Sequence, residues 1–407
     1  GPFGLKGGQV LRASGRLRPE RRADLDHFFS AAEPPNRAEI LRRFEEVFGP
    51  EIAGRSEVGR LLGSGSLNYV VEVDLYNPES GTTESVVVRF LRERVRLQLD
   101  NESRAWGVAL RSLSSHADPA VRSLARDLLE AHGYAHETLL GAEAEIRLSR
   151  EPELLDAARA VYDRPVHAET GFETRSARLH EALNARVGDS HRDSVAVYER
   201  AHGVPFGDLV KSRETWPLAE QILTTELDAL FLHGRFDPDG HPGNWMVDTE
   251  GRVIYRIDLS QFQQRLPRAE LDSFRSVLKL LLLPRHTEDE LQQLERDLMN
   301  LFEGFQPDAS TRQILRAAMR ARAFPSYTSP EERLFFLRSR LEAHGKSARF
   351  LRSTLSALSS LGRLRMYSER MTPRRFQDRM LAGLGLTREA IAARVLPSWV
   401  EGGLRAS

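Results

Sequence analysis

Phe236-Asp237-Pro238-Asp239-Gly240-His241-Pro242-Gly243-Asn244, followed by Arg256-Ile257-Asp258-Leu259-Ser260, is the stretch whose reading decides the fold. Two prolines and two glycines in nine residues make the first run a tight loop. Between the runs, Trp245 to Val247 and Val253 to Ile257 alternate as strands do, and Asp248-Thr249-Glu250-Gly251 supplies a turn. Loop and hairpin together bring three oxygen-bearing side chains toward one place. Asp239 is a carboxylate suited to a base or to orienting a nucleophile. Asn244, five residues on, offers a neutral amide oxygen, and Asp258, at the end of the second strand, a charged one. Hard oxygen donors of this kind suit magnesium, which keeps several waters and takes one or two carboxylates. The Gly243 and Gly251 turns permit the geometry.

Working outward, the 407 residues exceed one small domain and predict two lobes or domains with a sizeable core. Lys+Arg and Asp+Glu balance at 58 each, so nothing draws the chain toward nucleic acid or an anionic membrane. There is no cysteine, which removes disulfides, thiolate nucleophiles and Cys-based metal sites and fits a cytoplasmic protein. Lysine occurs only at positions 6, 211, 279 and 346, so chemistry that needs a lysine has four candidates. No apolar run approaches the ~20 residues of a membrane span. The longest, Val277 to Leu283, is interrupted by Lys279 and stops at Pro284.

The expected order of elements runs from sheet to helix. Residues 1–50 read as helical, broken at Pro34-Pro35, with Ile40, Leu41, Phe44 and Phe48 on one face of a helix from Arg37 to Phe48. Leu61 to Leu75 and Ser85 to Leu91 read as a strand pair about the Asn77–Gly81 turn. Arg94 to Ala160 is helical in pattern, Ser194 to Tyr198 a short strand, Pro217 to Leu232 a helix, and everything after Arg268 helical. This is an α+β chain. Leu62-Gly63-Ser64-Gly65-Ser66-Leu67-Asn68-Tyr69-Val70 is a glycine-rich turn with strand-like flanks, where backbone N–H groups can cradle phosphate. The next strand carries a cation, Arg89.

The order Asp239, Asn244, strand, Asp258 resembles the catalytic and metal-binding loops of protein kinases. In detail the loop resembles the UbiB/ADCK family of atypical kinases, whose run reads roughly H-A-D-P-H-P-G-N. Lys6-Gly7-Gly8-Gln9 matches that family's K-x-G-Q motif, and Val195 to Pro205 its hinge. The resemblance covers Lys6 to about Leu266. It implies a two-lobed protein-kinase-like fold: an N-terminal helical extension over 1–50, an N-lobe over 51–201 and a helical C-lobe over 202–407. It further implies ATP and Mg2+ as cofactors. Asp239 would be the catalytic carboxylate, with Asn244 and Asp258 as metal ligands. Gly63, Ser64, Gly65, Ser66, Val70, Arg89, Glu199 and Ala201 would lie at the nucleotide. Lys6 and Gln9 would lie over the active site opposite a Glu-x-Asp motif. The implied activity is ATP hydrolysis or phosphorylation of a small or lipid-like molecule, reached peripherally if it lies in a membrane.

The chain also departs from the family. The phosphate-binding lysine is Arg89, a planar fork in place of a point charge. The Glu-x-Asp motif is Glu143-Ala144-Glu145 in one register, which puts Ile146 on the apolar position but Ser149 where a partner Glu should stand. In the other it is Glu145-Ile146-Arg147, with Glu151 as the partner of Arg89. D-F-G is Asp258-Leu259-Ser260, and the loop's first histidine is Asp237. His241 reads as a loop-ordering residue bonded to backbone. Two alternatives follow: a nucleotide-binding regulatory module with little turnover, and an aminoglycoside-phosphotransferase-like small-molecule kinase, whose loop is similar.

Overall fold

The computed structural model describes residues 34–393 except 65–66, 79, 94, 119–120, 123–124, 126–128, 130–145, 148, 239, 260–261, 263, 285, 320–328 and 347. Of residues 95–99 and 393 it describes the backbone alone. The chain is a mixed α/β protein with two four-stranded sheets and many helices. It divides into two compact units. One holds residues up to Ala160, Arg175–Gly203 and Tyr255–Ser260; the other holds Val161–Thr174, Val204–Ile254 and residues from Gln261 on.

In the first unit, α1 (Arg37–Gly54) starts at Asn36, whose side chain accepts the Glu39 N–H at 2.9 Å. The sequence pattern ends this helix at Phe48. The structure kinks at Gly49 (φ 80°) and resumes at Pro50, a residue suited to a first helical turn because it lacks the N–H left unpaired there. Then come β1 (Ser56–Ser64), β2 (Asn68–Asn77) and β3 (Thr82–Leu91). The expected strand pair is therefore three strands. The segment read as one strand from Leu61 to Leu75 is two, turned back on themselves at the glycine-rich stretch. α2 (Val95–Leu113) and α3 (Pro152–Tyr162) follow, then β4 (Glu173–Ser176), α4 (Glu181–Asn184) and β5 (Val195–Glu199). The sheet order is β1-β2-β3-β5, with all neighbours antiparallel.

Register sorts the side chains onto two faces, because paired residues share a face and neighbours along a strand alternate. Tyr69, Val71, Val73, Val86, Val88, Phe90, Val195 and Val197 form one buried face. It packs with Ile40, Phe44, Val47, Phe48 and Ile52 of α1, and Tyr69 stacks on Phe90 at 5.3 Å. The expected N-terminal extension thus contributes a helix to the sheet's own core. The opposite face carries the row Gly63–Val70–Arg89–Ala196, with Asn68 and Tyr198 one alternation away.

The outer strand β5 is held by side chains. The Asn184 carboxamide imitates a strand, accepting from the Val197 N–H (3.1 Å) and donating to its carbonyl (2.6 Å). The Arg150 guanidinium donates to the carbonyls of Asn184, Arg192 and Val195. Burial pushes the Arg150 guanidinium below its ordinary range.

The second unit is built on β6 (Val204–Pro205), α5 (Trp216–Phe231), β7 (Trp245–Asp248) and β8 (Val253–Arg256), and the second sheet has the order β4-β8-β7-β6. α5 is buried almost all round. Its buried Glu220 carboxylate meets the guanidinia of Arg375 and Arg379, at 2.6 and 2.8 Å. Beyond these run α6 (Arg268–Leu282), α7 (Glu288–Met299), α8 (Ala309–Met319), α9 (Pro330–Ala343), α10 (Arg352–Arg363), α11 (Pro373–Gly383) and α12 (Arg388–Ala393). Reciprocal side-chain caps, Thr287 with Glu290 and Ser329 with Glu332, start α7 and α9. The helical reading of the chain after Arg268 holds across the described residues.

Candidate functional site

In the first unit the expected phosphate cation and the expected metal carboxylate meet. Arg89 Nη1 donates to Asp258 Oδ1 at 2.8 Å. The Arg89 side chain is 6% exposed and that of Asp258 45%, so a buried cation lies beneath an accessible carboxylate. The other donors of Arg89 fix the Asn68 carboxamide: its oxygen accepts from Nε at 3.0 Å and Nη2 at 2.6 Å. On the same face, the Tyr198 hydroxyl donates to Ser149 Oγ at 2.9 Å. Ser149 is fully buried and passes its own proton to the Ile146 carbonyl at 2.7 Å. Burial pushes the Tyr198 phenol up, with Arg89 opposing it.

Asp258 has φ 54°, a left-handed backbone that aspartate tolerates better than most residues and that concentrates at functional sites. The preceding turn is fixed from below. Arg256, fully buried, donates to the carbonyls of Ile257 and Asp258, the latter at 3.3 Å. The strand end therefore delivers the carboxylate in one orientation.

Across β1 and β2, Gly63 and Val70 pair beside Arg89. A Cβ on Gly63 would meet nothing within 4 Å, and its φ lies outside the left-handed region, so neither packing nor backbone strain calls for glycine here. Ser64 accepts from Arg92, while Gly65 and Ser66 lie outside the described residues. At the end of β5, the Glu199 N–H is taken by the Arg178 carbonyl at 2.9 Å. Among the described residues the Ala201 N–H has no hydrogen-bond partner.

The second unit holds Asn244. Its amide nitrogen lies 3.5 Å from Oδ2 of the buried Asp237, a contact that orients the carboxamide by its donor end. His241 Nδ1 accepts the Gly243 N–H at 3.0 Å, so this ring orders the loop as its sequence context suggests. Gly243 and Gly251 do not owe their glycine to a left-handed backbone. A Cβ on Gly243 would sit 2.8 Å from the His241 ring, and one on Gly251 2.5 Å from the Asp248 carboxylate, which accepts both the Glu250 and Gly251 N–H groups. The left-handed residue of that turn is Arg252. Trp245, next to Asn244, is fully buried and donates to Glu226 Oε1 at 3.1 Å, and Tyr162 donates to the same carboxylate at 3.2 Å.

Of the residues singled out by sequence, Arg89 and Asp258 are brought into contact, with Gly63 and Val70 in the row beside them. Asp239, Lys6, Gln9, Glu143 and Glu145 lie outside the described residues. Ile146 is buried and Glu151 is exposed at the start of α3, while Ser149 stands at Tyr198. Sequence reasoning missed Asn68 and Tyr198. The available signal was alternation: Asn68 is two residues from Val70, and Tyr198 two from Ala196. Among the described residues no group of three or more His, Asp or Glu side chains is placed to hold a metal ion. No described helix is long and apolar enough to cross a membrane. No protein-family model matches the chain.

Proposed function

We propose that the chain binds a magnesium nucleotide, ATP, on the Arg89 face of its first sheet in a protein-kinase-like arrangement. It then hydrolyses the nucleotide or passes the terminal phosphoryl group to a small or lipid-like acceptor, as the resemblance to the UbiB/ADCK family implies. The observation that carries this reading is the contact of Arg89 with Asp258, 169 positions apart and 2.8 Å from each other. Sequence alone assigned one to phosphate and the other to metal, for separate reasons.

The Asp258 carboxylate beside Arg89 is a hard oxygen donor of the kind that suits magnesium, and Asn244 keeps the metal-ligand role the resemblance implies. The bound metal would supply neutralisation of phosphate charge. The chain's own residues would do the rest. Gly63 leaves the backbone open to close approach, Arg89 faces the phosphates, and the Ala201 N–H offers a donor at the strand end. Asp239 would orient the attacking hydroxyl or water. Lys6 and Gln9 keep the role the resemblance implies for them.

The second reading, a nucleotide-binding module without turnover, is favoured by the same pair. An arginine bound to the metal carboxylate must share it when metal arrives, and a guanidinium is a poorer point charge than an ammonium. Magnesium-dependent ATP turnover separates the readings. Native protein should turn ATP over, and Asp258→Asn should lower the rate by tenfold or more, about 1.4 kcal/mol of barrier. Equal rates would remove the enzymatic reading. Thermal stabilisation by ATP without turnover would establish the regulatory one.

A further inference from the structure

A cavity of about 330 Å³ lies in the first unit and shares no lining residue with the candidate site described above. Its size is at the low end of small-molecule pockets, roughly 300–1,000 Å³. Part of the lining is one stripe of α3, because Pro152, Leu155, Asp156 and Arg159 fall three or four positions apart and share a helix face. Leu179 and the short α4 add Glu181 and Ala185, and Arg192 completes it. Arg150 gives the cavity its chemistry. A guanidinium has five N–H donors, and three of these go to carbonyls: Nη1 to Arg192 and Val195, Nη2 to Asn184. Its Nε has no hydrogen-bond partner among the described residues and is not sealed from solvent. Nε and Nη2 are neighbouring nitrogens, and that edge of a guanidinium can hold an oxyanion by two parallel hydrogen bonds. Burial, and then the charge of Arg192, push the Arg150 guanidinium below its ordinary range, as expected of a cation with no anion at its side.

The rest of the lining narrows the ligand. Arg159 and Asp156 pair with each other at 3.3 Å and cancel. Arg192 lines the cavity, while its own partner Asp189, at 3.2 Å, does not. Both side chains of that pair are exposed, and such pairs are weak, so Arg192 is free to turn to a ligand. Against Arg150 and Arg192 stands one carboxylate, Glu181. This balance favours a ligand with a single negative charge over one with several. Leu155, Leu179, Pro152 and Ala185 offer apolar surface to the remainder of the molecule. We propose that the cavity binds a small organic acid, its carboxylate on the free edge of Arg150 beside Arg192 and its aliphatic body against Leu155 and Leu179. ATP plays no part in this site, so it stands or falls apart from the nucleotide reading.

The test is titration calorimetry of the full chain with hexanoate, and with hexylammonium, acetate and inorganic phosphate for comparison. Native protein should bind one hexanoate about tenfold or more tightly than acetate, which lacks the aliphatic body, or hexylammonium, which reverses the charge. Arg192→Gln should weaken hexanoate about threefold and Glu181→Gln tighten it about threefold, opposite signs that loss of structure would not give. Arg150→Lys keeps the charge but loses the fork, and should weaken hexanoate about tenfold. Because Arg150 also pins β5, urea unfolding accompanies that variant. Ala185→Trp fills the cavity from an exposed position with Arg150 left in place, and should abolish binding in a chain of native stability. No saturable binding of hexanoate by the native chain would overturn the proposal. So would hexanoate affinity left unchanged by Ala185→Trp or by both charge variants. Inorganic phosphate or hexylammonium bound as tightly as hexanoate would overturn it too.

Discussion

Gly63 and Gly243 are both glycines in turns that sequence assigns to the site, yet the structure asks different things of them. At Gly243 a methyl group would lie 2.8 Å from the His241 ring, which accepts that residue's own N–H. Gly243→Ala should therefore displace the imidazole and cost about 1–2 kcal/mol of stability, with Asn244 carried along. At Gly63 a methyl group meets no atom within 4 Å. Gly63→Ala should leave stability within about 0.5 kcal/mol of native and weaken ATP binding, because the space it fills is the space proposed for phosphate. Urea unfolding and ATP titration of the two variants check this; a stable Gly63→Ala with native ATP affinity would place the phosphates elsewhere. Arg89 and Asp258 were legible in the sequence because each follows a strand pattern that stands out locally. Asn68 and Tyr198 were not, because their places beside Arg89 depend on the pairing of residues 82–91 with 68–77 and of 86–90 with 195–199, which no local pattern discloses.

The elements that sequence placed well are those with clean periodicity: β5, α5, the β7–β8 hairpin and the helices after Arg268. β1 was missed for a physical reason. Its ladder shifts register between Val58 and Leu61 and again between Leu61 and Gly63, so its side chains do not alternate evenly, and Gly59 and Gly63 dilute the strand pattern. The continuation of α1 past Gly49 was hidden by a glycine–proline pair that usually ends a helix. The sheet core between α1 and the strands has a pH dependence of its own. Burial pushes the Tyr69 phenol from 10.0 up to about 12. Its contribution is intact below about pH 10 and is lost as pH rises toward about 12, where the unfolded chain ionises more readily. A shift of that size corresponds to about 3 kcal/mol. Urea unfolding of native protein between pH 9 and 12 should show this loss, and Tyr69→Phe should lack that share of it. An equally steep fall in Tyr69→Phe would mean that other groups govern alkaline unfolding.

At the scale of the whole molecule, the mixture of helix and sheet was legible and the unit that holds Asp258 was not. The chain mixes helices with two sheets, consistent with the α+β class its patterns suggested, but Tyr255–Ser260 returns to the first unit, so Asp258 belongs with Arg89 and the early sheet, while Asn244 belongs to the second unit. Sequence order alone placed Asp258 with the late, helical half. The return is decided by contacts such as the Ala177 N–H to the Arg256 carbonyl at 2.8 Å, which link segments some 80 residues apart. Asp258 is thereby presented to the sheet face that holds Arg89, and the proposed nucleotide chemistry depends on this pairing. Titration of the native chain with ATP, in Mg2+ and again in EDTA, tests that claim most directly, with Arg89→Ala alongside. The account predicts binding that is at least tenfold tighter with Mg2+ and that is lost in Arg89→Ala. ATP affinity that ignores both the metal and Arg89, or no binding at all, would contradict it.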